Sequence, residues 1–327
     1  MIERMPMSIK LIEDVARTDE RLADVVLTVG SFDGVHLGHK RILDEVVSIA
    51  KSATGTPAVL TMRPHPRQVF SPEHPPNLLT SDSKKIELLA RTGIEVVFGL
   101  TFDEATAALD PFDFIEQIVV RRCRARHLVV GHDFRFGKDA AGDYEFLVAA
   151  QRQFAFEVTQ VPPLFIEGER VSSTLIREQV LQGDLERAAL FLGRPYAIEG
   201  TVIPGHGIGA TLGFPTANVK SGSAAIPAQG VYAAQVILDG TAHPAAINIG
   251  IAPTVRQSDV IVEAHLLHFS ENLLGRQIEV VFLKRLRPER KFPTRQALAE
   301  QIQQDVAAVG HCISTNRGFS GPALEKG

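Results

Sequence analysis

Residues 25–43 read VVLTVGSFDGVHLGHKRIL, and this stretch decides the fold of the first half of the chain. The apolar run 25–29 predicts a buried strand, and the spacing of apolar residues from Ile42 to Ile49 predicts the helix that follows it. Three glycines and two histidines occupy the turn between them. A strand joined to a helix in this way is the unit from which parallel α/β sheets are built.

The same alternation continues to about residue 191. Strands that are apolar on both faces, with helical patterns between them, indicate a doubly wound parallel sheet with helices on each side. A final helix is predicted from Leu175 to Phe191; Gly193 ends it, and Pro195 prevents its resumption. The other predicted strands lie at 58–62, 94–100, 127–134 and 156–161.

After Pro195 the apolar pattern changes from helical to alternating. Runs of strand type, separated by Gly, Pro, Asp and Ser, follow one another without helical patterns between them. Such a succession predicts a small antiparallel β-barrel, closed by one amphipathic helix over about 295–309. We therefore predict an α/β domain over 1–192, a barrel domain over 193–310 and a flexible tail over 311–327. The predicted barrel strands lie at 198–203, 230–238, 243–250, 260–269 and 277–286.

Composition and charge narrow the classes of protein to which this chain can belong. The chain has 327 residues, 45% of them hydrophobic and 22% charged, which is ordinary for a globular protein. Its formal net charge of −4 argues against nucleic acid as a partner, because phosphate backbones call for a basic face. The two cysteines, Cys123 and Cys312, form no metal-ligand or disulfide pattern. With neither a secretory signal nor an apolar run of about 18 residues, the chain is expected to be cytoplasmic, with no membrane partner.

The turn over residues 30–39 has the composition of a phosphate site. Its glycines permit close approach of the backbone, and the N-terminus of the following helix presents unpaired N–H groups to an anion. His36 and His39 are one helical turn apart, so both rings project from one side and can donate to phosphate. The alternative is that each histidine only caps a turn. Neither the P-loop nor the dinucleotide-binding fingerprint is present. The other candidates for phosphate contact here are Gly30, Phe32, Asp33, Gly34 and Gly38.

A second group of anion-binding candidates follows the predicted sheet. Three hydroxyl residues stand at a predicted helix start, where side-chain oxygens cap N–H groups and face anions. An arginine one turn further on can clamp a phosphate through two hydrogen bonds. A plain N-cap is the alternative interpretation of the hydroxyls. These residues are Ser172, Ser173, Thr174 and Arg177.

Charged side chains also follow individual strands of the predicted sheet. Asp133 comes after the fourth strand and therefore lies at the carboxyl edge, where it is a candidate for contact with a ribose or a base. A structural Asx-turn is the alternative. Arg63 and His65 follow the second strand, and for them a ligand role and a structural role are both open.

The segment 205–218, GHGIGATLGFPTAN, is a glycine-rich loop that can surround phosphate oxygens with backbone N–H groups. Its end carries a hydroxyl and a carboxamide, Thr216 and Asn218, which face the same way in an extended chain and can ligate Mg²⁺ through oxygen. A Gly/Pro turn before a strand is the alternative. The candidates for phosphate contact in this loop are Gly205, Gly209, Gly213 and Pro215.

Glu263 is an acidic residue in an otherwise apolar predicted strand. A carboxylate there can accept the proton of a substrate hydroxyl, or it can simply face solvent. His265 shares its face of the strand, because successive side chains alternate. Glu263 is therefore a candidate catalytic base.

Five motifs, in order along the chain, resemble those of prokaryotic bifunctional riboflavin kinase/FAD synthetases. They are GSFDGVHLGH at 30–39, TMRPHP at 61–66, VVGHDFRFGKDAAGD at 129–143, VSSTLIR at 171–177 and GATLGFPTAN at 209–218. The resemblance runs from about residue 25 to 309. It implies a Rossmann-like nucleotidyltransferase domain for FMN adenylylation, followed by a small antiparallel β-barrel with a C-terminal helix for riboflavin phosphorylation.

The resemblance also implies two reactions. In the barrel, ATP phosphorylates riboflavin to FMN; in the first domain, FMN attacks the α-phosphate of ATP, giving FAD and pyrophosphate. Mg²⁺ or another divalent cation is the implied cofactor, with ATP as co-substrate. In this scheme His36 and His39 contact the ATP phosphates, and Glu263 is the general base for the 5′-hydroxyl of riboflavin.

Departures from the family pattern cluster in the barrel half. Because Thr216, Asn218 and Glu263 are retained, we predict an active kinase. One alternative is an FMN adenylyltransferase whose barrel only binds flavin, and another is a flavin-responsive binding protein without turnover. The departing residues are Ala210, Ala252, His268, Asn272 and Leu274.

Overall fold

The structure, a computed structural model, describes residues 9–18, 22–71, 73, 75–205, 213–251 and 260–315. By its internal contacts the chain divides into two compact units. The first unit contains the chain up to Pro76 together with Asp82–Val171, and the second contains Asn77–Ser81 and the chain from Ser172 onward. In the described ranges, no helix is both long enough and apolar enough to cross a membrane. The predicted cytoplasmic location stays a prediction.

The first unit is built on a six-stranded, wholly parallel sheet in the order β1-β4-β3-β2-β5-β6. Its strands are β1 (Lys10–Ile12), β2 (Val25–Val29), β3 (Thr56–Arg63), β4 (Val96–Thr101), β5 (Ala125–Gly131) and β6 (Glu157–Val161). Its helices are α1 (Leu37–Ala53), α2 (Pro66–Phe70), α3 (Asp82–Ala90), α4 (Glu104–Ala107), α5 (Pro111–Asp113) and α6 (Tyr144–Phe154). A π-helix continues α5 over Phe114–Arg122, and a small hairpin, β7 (Phe165–Ile166) and β8 (Glu169–Arg170), ends the unit.

The central strand β2 is buried on both faces and divides the apolar core into two clusters. Leu27 packs on the side of the π-helix, whereas Val26 packs on the side of α1. The strand order runs outward from β2 in both directions, so the turn after β2 lies where the order reverses. Parallel α/β sheets bind ligands at such a switch point.

The second unit is a closed antiparallel barrel in the order β10-β13-β12-β11-β14-β9. Its strands are β9 (Ala197–Ile203), β10 (Ala217–Lys220), β11 (Gly230–Leu238), β12 (Thr241–Ile251), β13 (Val260–Leu266) and β14 (Gln277–Arg287). Two helices, α7 (Ser173–Gln182) and α8 (Leu185–Leu192), precede the barrel, and α9 (Arg295–Thr315) follows it.

The structure differs from the predictions at several elements, and the short strand β10 (Ala217–Lys220) lies outside the five predicted barrel runs. The edge strand β1 was missed, because three residues carry too little periodicity to stand out from charged neighbours. The single helix expected over 175–191 is two helices, since Gly183 adopts a left-handed φ of 80° that ends α7, and Asp184 caps α8. The last helix continues to Thr315 instead of ending near 309.

Packing explains the longer last helix. Cys312 and Ile313 pack against the apolar cluster around Val309, so the apolar face of α9 extends beyond the predicted start of the tail at residue 311. The contacts also group α7 and α8 with the barrel. The domain boundary at 192/193 stays a prediction.

Candidate active sites

The turn after β2 has an unusual backbone. Phe32 and Val35 both adopt left-handed φ values, 49° and 38°, on either side of Gly34 at 84°. Such a conformation costs a non-glycine residue about 1–3 kcal/mol and persists only where surrounding packing holds it. Both side chains are buried in the α1-side cluster, which supplies that packing. The core therefore fixes the shape of the turn.

His36 is the N-cap of α1. Its Nδ1 accepts a hydrogen bond of 3.1 Å from the backbone N–H of His39. Because Nδ1 is an acceptor, the neutral ring carries its proton on Nε2, on the opposite side of the imidazole. The capping role that the sequence left as an alternative is therefore present, and it engages one nitrogen of the ring.

The rings of His36 and His39 stack, with centroids 3.6 Å apart and planes 13° apart. Gly38 makes this possible, because a Cβ at that position would lie 3.1 Å from the His36 ring and 3.4 Å from the carbonyl oxygen of Val171. Asp33, in the same turn, is 3% exposed. The turn thus gathers two imidazoles and a buried carboxylate at the start of a helix, where the positive end of the helix dipole favours anions.

Asp133 follows β5 and forms an ion pair with Arg170 of the β7–β8 hairpin. Nδ1 of His132 lies 3.6 Å from the same carboxylate. Partial burial alone would raise the pKa of Asp133, but the hydrogen bond and charge of Arg170 hold it below the usual range of an aspartate. Asp133 is therefore an ionised, arginine-held carboxylate, and its predicted contact with a ribose or base stays a prediction.

The two residues left open after β3 both have structural partners. Nε of Arg63 donates to the Asp82 carboxylate at 3.2 Å. His65 is the N-cap of α2, where its Nδ1 accepts from the N–H of Arg67 and a reciprocal bond from Gln68 completes a capping box. These contacts support the structural interpretation.

Sequence reasoning missed two aromatic residues at the same edge of the sheet. Phe70, at the end of α2, is 66% exposed, and its ring meets that of Phe102 edge to face at 5.5 Å. Phe102 directly follows β4. The exposed ring of Phe70 offers an apolar face to a planar ligand at this edge. The available signal was a phenylalanine in the mainly polar segment PHPRQVFSPEHPP.

Ser172, Ser173, Thr174 and Arg177 lie at the start of α7, in the second unit. Oγ of Ser172 caps the helix by accepting from the N–H of Leu175 at 3.2 Å. Arg177 donates from Nε to the carbonyl of Asn77 at 2.6 Å. The contact of these residues with phosphate stays a prediction.

Three polar residues form a row across neighbouring strands of the barrel. Glu263 on β13 is directly opposite Asn218 on β10 and Asn248 on β12. Nδ2 of Asn248 donates to the Glu263 carboxylate at 3.2 Å. The acid that the sequence singled out is therefore oriented by a neighbouring amide.

Two cavities open on this part of the barrel, and Thr216 lines both. The larger has a volume of about 880 Å³, a size that suits a drug-sized ligand, and Glu263, Asn248 and His265 contribute to its wall. The smaller, of about 270 Å³, is lined by Gly205 and Pro215 among others. Thr216 thus stands between the cavity that contains the acid and a second cavity beside the glycine-rich loop.

The segment before β10 is held by the barrel wall. The carbonyl of Pro215 accepts a hydrogen bond of 2.8 Å from Nδ1 of His265, whose ring meets Phe214 edge to face. Gly205 packs against the Asn218 side chain so closely that an added Cβ would overlap the amide nitrogen. Gly213 adopts a φ of 85°. The predicted phosphate contact at Gly209 lies outside the described residues.

Two of the three described departures from the family pattern line the smaller cavity. Asn272 and Leu274 both line it, and Oδ1 of Asn272 accepts from the N–H of Leu274 at 3.0 Å. His268 occupies a turn position with a φ of 56°. Ala210 and Ala252 lie outside the described residues.

The sequence matches the models of two protein families, one over each half. The FAD synthetase model matches residues 18–175, and the riboflavin kinase model matches residues 192–313. The chain thus combines an FAD synthetase domain with a riboflavin kinase domain.

Relatives with both domains share this arrangement. Bifunctional riboflavin kinase/FMN adenylyltransferase of Escherichia coli K12 is 37% identical over 86% of this chain and 90% of its own length. The same-named protein of Bacillus subtilis 168 is 36% identical over 88% and 92%. This chain belongs to the family of bifunctional riboflavin kinase/FMN adenylyltransferases. The predicted family and its class of two-activity transferases are confirmed.

A solved structure supports the fold. The crystal structure of a macrolide-efflux protein from Streptococcus pneumoniae matches with a TM-score of 0.82 and 27% sequence identity, covering 92% of this chain and 98% of that one. The predicted fold class, a parallel α/β domain followed by an antiparallel barrel, is confirmed.

Proposed function

We propose that the turn over residues 30–39 binds the triphosphate of ATP and that the first unit transfers its adenylyl group to FMN. A phosphate oxygen of FMN attacks the α-phosphorus, the bond from this phosphorus to the bridging oxygen breaks, and pyrophosphate leaves. Charge builds up on the phosphate oxygens as the bond breaks. His36 and His39 donate to those oxygens, assisted by the N–H groups at the start of α1.

No covalent intermediate is needed in this transfer. Positioning of the two substrates and stabilisation of charge supply the rate. Arg177 and the hydroxyls of Ser172–Thr174 supply a second phosphate contact. The N-terminal position of the hydroxyls on α7, with Arg177 one turn further on, favours this role.

The exposed ring of Phe70, with the half-buried Phe102 beside it, provides a platform for the flavin ring of FMN. Phe70 and Phe102 follow β3 and β4, the two strands next to β2 on one side of the sheet. The carboxyl ends of parallel strands meet at one edge, so this pair and the histidine turn share that edge. A planar ring system gains dispersion and stacking energy on such a surface.

In the barrel, the larger cavity takes riboflavin and the smaller takes part of ATP. Glu263 accepts the proton of the 5′-hydroxyl as its oxygen attacks the γ-phosphorus, and ADP leaves. Asn248 holds the carboxylate of Glu263 in place for that transfer. The position of Thr216 between the cavities supports this scheme, because the γ-phosphate must pass from one substrate to the other there.

The donor set near Thr216 suits Mg²⁺. Thr216 and Asn218 offer neutral oxygens two residues apart, and Asn218 is cradled against Gly205 where a Cβ would not fit. Mg²⁺ favours one or two protein oxygens together with substrate phosphates. Among the described residues there is no cluster of three or more acidic, histidine or cysteine side chains able to form a protein-only cage. When bound, Mg²⁺ neutralises charge on the β- and γ-phosphates.

The observation that carries the proposal is the stacked His36–His39 pair at the N-terminus of α1. The experiment is product analysis by chromatography, with riboflavin or FMN supplied separately to the purified chain with ATP and Mg²⁺. We expect riboflavin to give FMN and FAD, and FMN to give FAD and pyrophosphate.

Two other outcomes would favour the alternatives. Conversion of FMN to FAD without any phosphorylation of riboflavin would indicate an adenylyltransferase whose barrel only binds flavin. Flavin binding without product from either substrate would indicate a binding protein. The retained row of Asn218, Glu263 and Asn248 favours turnover in the barrel.

A further inference from the structure

The C-terminal helix contributes a buried charge to the wall of the larger cavity. Asp305 on α9 is 5% exposed and lines this cavity, as does Arg287 at the end of β14. Nε of Arg287 donates to both carboxylate oxygens at 3.0 and 3.2 Å, and Nη2 donates at 2.8 Å. Gln301, one turn earlier on α9, donates to the same carboxylate at 2.9 Å. Every charge in this group therefore has a partner.

Two arginines that hydrogen-bond to side chains of α9 lie close to one aromatic ring. The guanidinium carbon of Arg287 lies 5.6 Å from the centroid of Phe292, and that of Arg290 lies 4.8 Å from it. Arg290 in turn donates to the side chain of Gln301. Both cations over the Phe292 ring are thus anchored on the same helix, one through Asp305 and one through Gln301.

The segment that carries Phe292 depends on these anchors. Residues 288–293 form neither helix nor strand, so no ladder of backbone hydrogen bonds fixes them. Phe292 nevertheless lines the larger cavity. The two arginines make cation–π contacts with this ring.

We propose that Asp305 is a positioning residue of the kinase site, which acts through Arg287 to hold Phe292 against the flavin ring of riboflavin. This inference rests on the proposed function of the barrel. A purely structural pair would only fasten α9 to the barrel. A positioning pair also sets the affinity of the cavity for riboflavin, because loss of the carboxylate charge releases Arg287 and with it the ring.

The test is Asp305→Asn in the full-length chain, which keeps the size of the side chain and removes its charge. We expect the KM for riboflavin, and the Kd for riboflavin from fluorescence quenching without ATP, to rise at least ~10-fold. The KM for ATP and the rate of FMN adenylylation should stay within about twofold, since the smaller cavity and the first unit are untouched. The matched control is Asp239→Asn, which removes the carboxylate of the exposed Arg276–Asp239 pair outside both cavities and should change none of these values.

A double variant separates positioning from folding. If Asp305 acts through the ring, Phe292→Leu alone should raise the riboflavin Kd as much as Asp305→Asn, and the two together should raise it little further. A lower Tm with an unchanged riboflavin Kd, or effects that add, would overturn the inference. If Asp305→Asn does not fold, Gln301→Ala applies the same criterion through Arg290. A wild-type chain that binds riboflavin without phosphorylating it would contradict the proposed function and still leave the Asp305 comparison decisive.

Discussion

Nδ1 of His36 accepts the backbone N–H of His39 while the two imidazole rings lie parallel, 3.6 Å apart. One side chain thus caps the helix and forms half of the proposed phosphate site. The two roles use opposite nitrogens, so substitution can separate them. Asparagine is as good an N-cap as any residue but lacks a donor at the position of Nε2.

His36→Asn should therefore lower the rate of FAD formation by about 10²–10³-fold, as expected for loss of a donor to transition-state charge. The melting temperature should change little. His36→Ala should lose the same activity and in addition about 1 kcal/mol of stability through the missing cap. Pyrophosphate release and thermal unfolding measure the two effects. Full activity in His36→Asn would mean that His36 is only a cap.

Glu263→Gln should reduce kcat for riboflavin phosphorylation by about 10²–10⁴-fold, because the amide cannot accept the hydroxyl proton. The hydrogen bond from Asn248 leaves the group in place, so riboflavin binding should persist. Glu279→Gln makes the same change on a barrel strand away from both cavities and should be neutral. Equal losses in the two variants would argue against a catalytic base at Glu263.

Gly205→Ala should impair the kinase although alanine is small. The added Cβ would overlap the Asn218 amide, and displacement of this amide should lower kcat/KM for riboflavin at least ~10-fold by disturbing the proposed Mg²⁺ ligand. Gly310→Ala is the control, because an added Cβ there would meet no heavy atom within 4 Å beyond its chain neighbours and the backbone of α9 itself. Alanine also favours helix by up to about 1 kcal/mol. Wild-type kinetics in Gly205→Ala would contradict the ligand role of Asn218.

Phe70→Ala should raise the KM for FMN about 10-fold while the melting temperature stays nearly constant, because an exposed ring adds little to the core. Phe165→Ala removes a ring of similar exposure from the β7–β8 hairpin of the same unit and serves as the control. A fall in stability without a change in KM would show that Phe70 packs the protein instead of binding flavin.

The free energy of unfolding should decrease as the pH falls below 6.5, because protonation of His127 favours the unfolded chain. Burial lowers the pKa of this ring below 6.5, although Glu157 and Glu45 act in the opposite direction. Between pH 6.5 and the lower pKa of the folded state, the unfolded chain binds more protons than the folded chain. The stability that the neutral His127 ring contributes is therefore complete above pH 6.5 and is lost as the pH falls. His127→Asn should flatten the dependence of Tm on pH below 6.5, and an unchanged slope of Tm against pH in this variant would contradict the prediction.

Local sequence patterns predicted much of the fold. The apolar run 25–29 and the glycine–histidine turn predicted the strand, the helix and the site between them, because the signals lie within 20 residues. The break at Gly183 was also available locally, in a glycine followed by the capping residue Asp184. The apolar spacing over residues 175–191 indicated one continuous helix, which Gly183 divides into two.

Pairing between distant segments was beyond the sequence. The row that aligns Asn218, Glu263 and Asn248 depends on the register of three strands, which a pattern of period two does not specify. Leu78 bridges to Ala224, more than 140 residues away, so that residues 77–81 join the second unit. No local sequence feature of either segment predicts this contact.

In the proposed scheme, two separate sites act in sequence on one flavin. The most direct measurement is chromatographic quantification of FMN and FAD formed from riboflavin, ATP and Mg²⁺ by the wild-type chain, His36→Asn and Glu263→Gln. We expect His36→Asn to accumulate FMN without FAD. We expect Glu263→Gln to form neither product from riboflavin and still to convert added FMN to FAD. Loss of both products in His36→Asn, or of FMN conversion in Glu263→Gln, would contradict the proposed scheme.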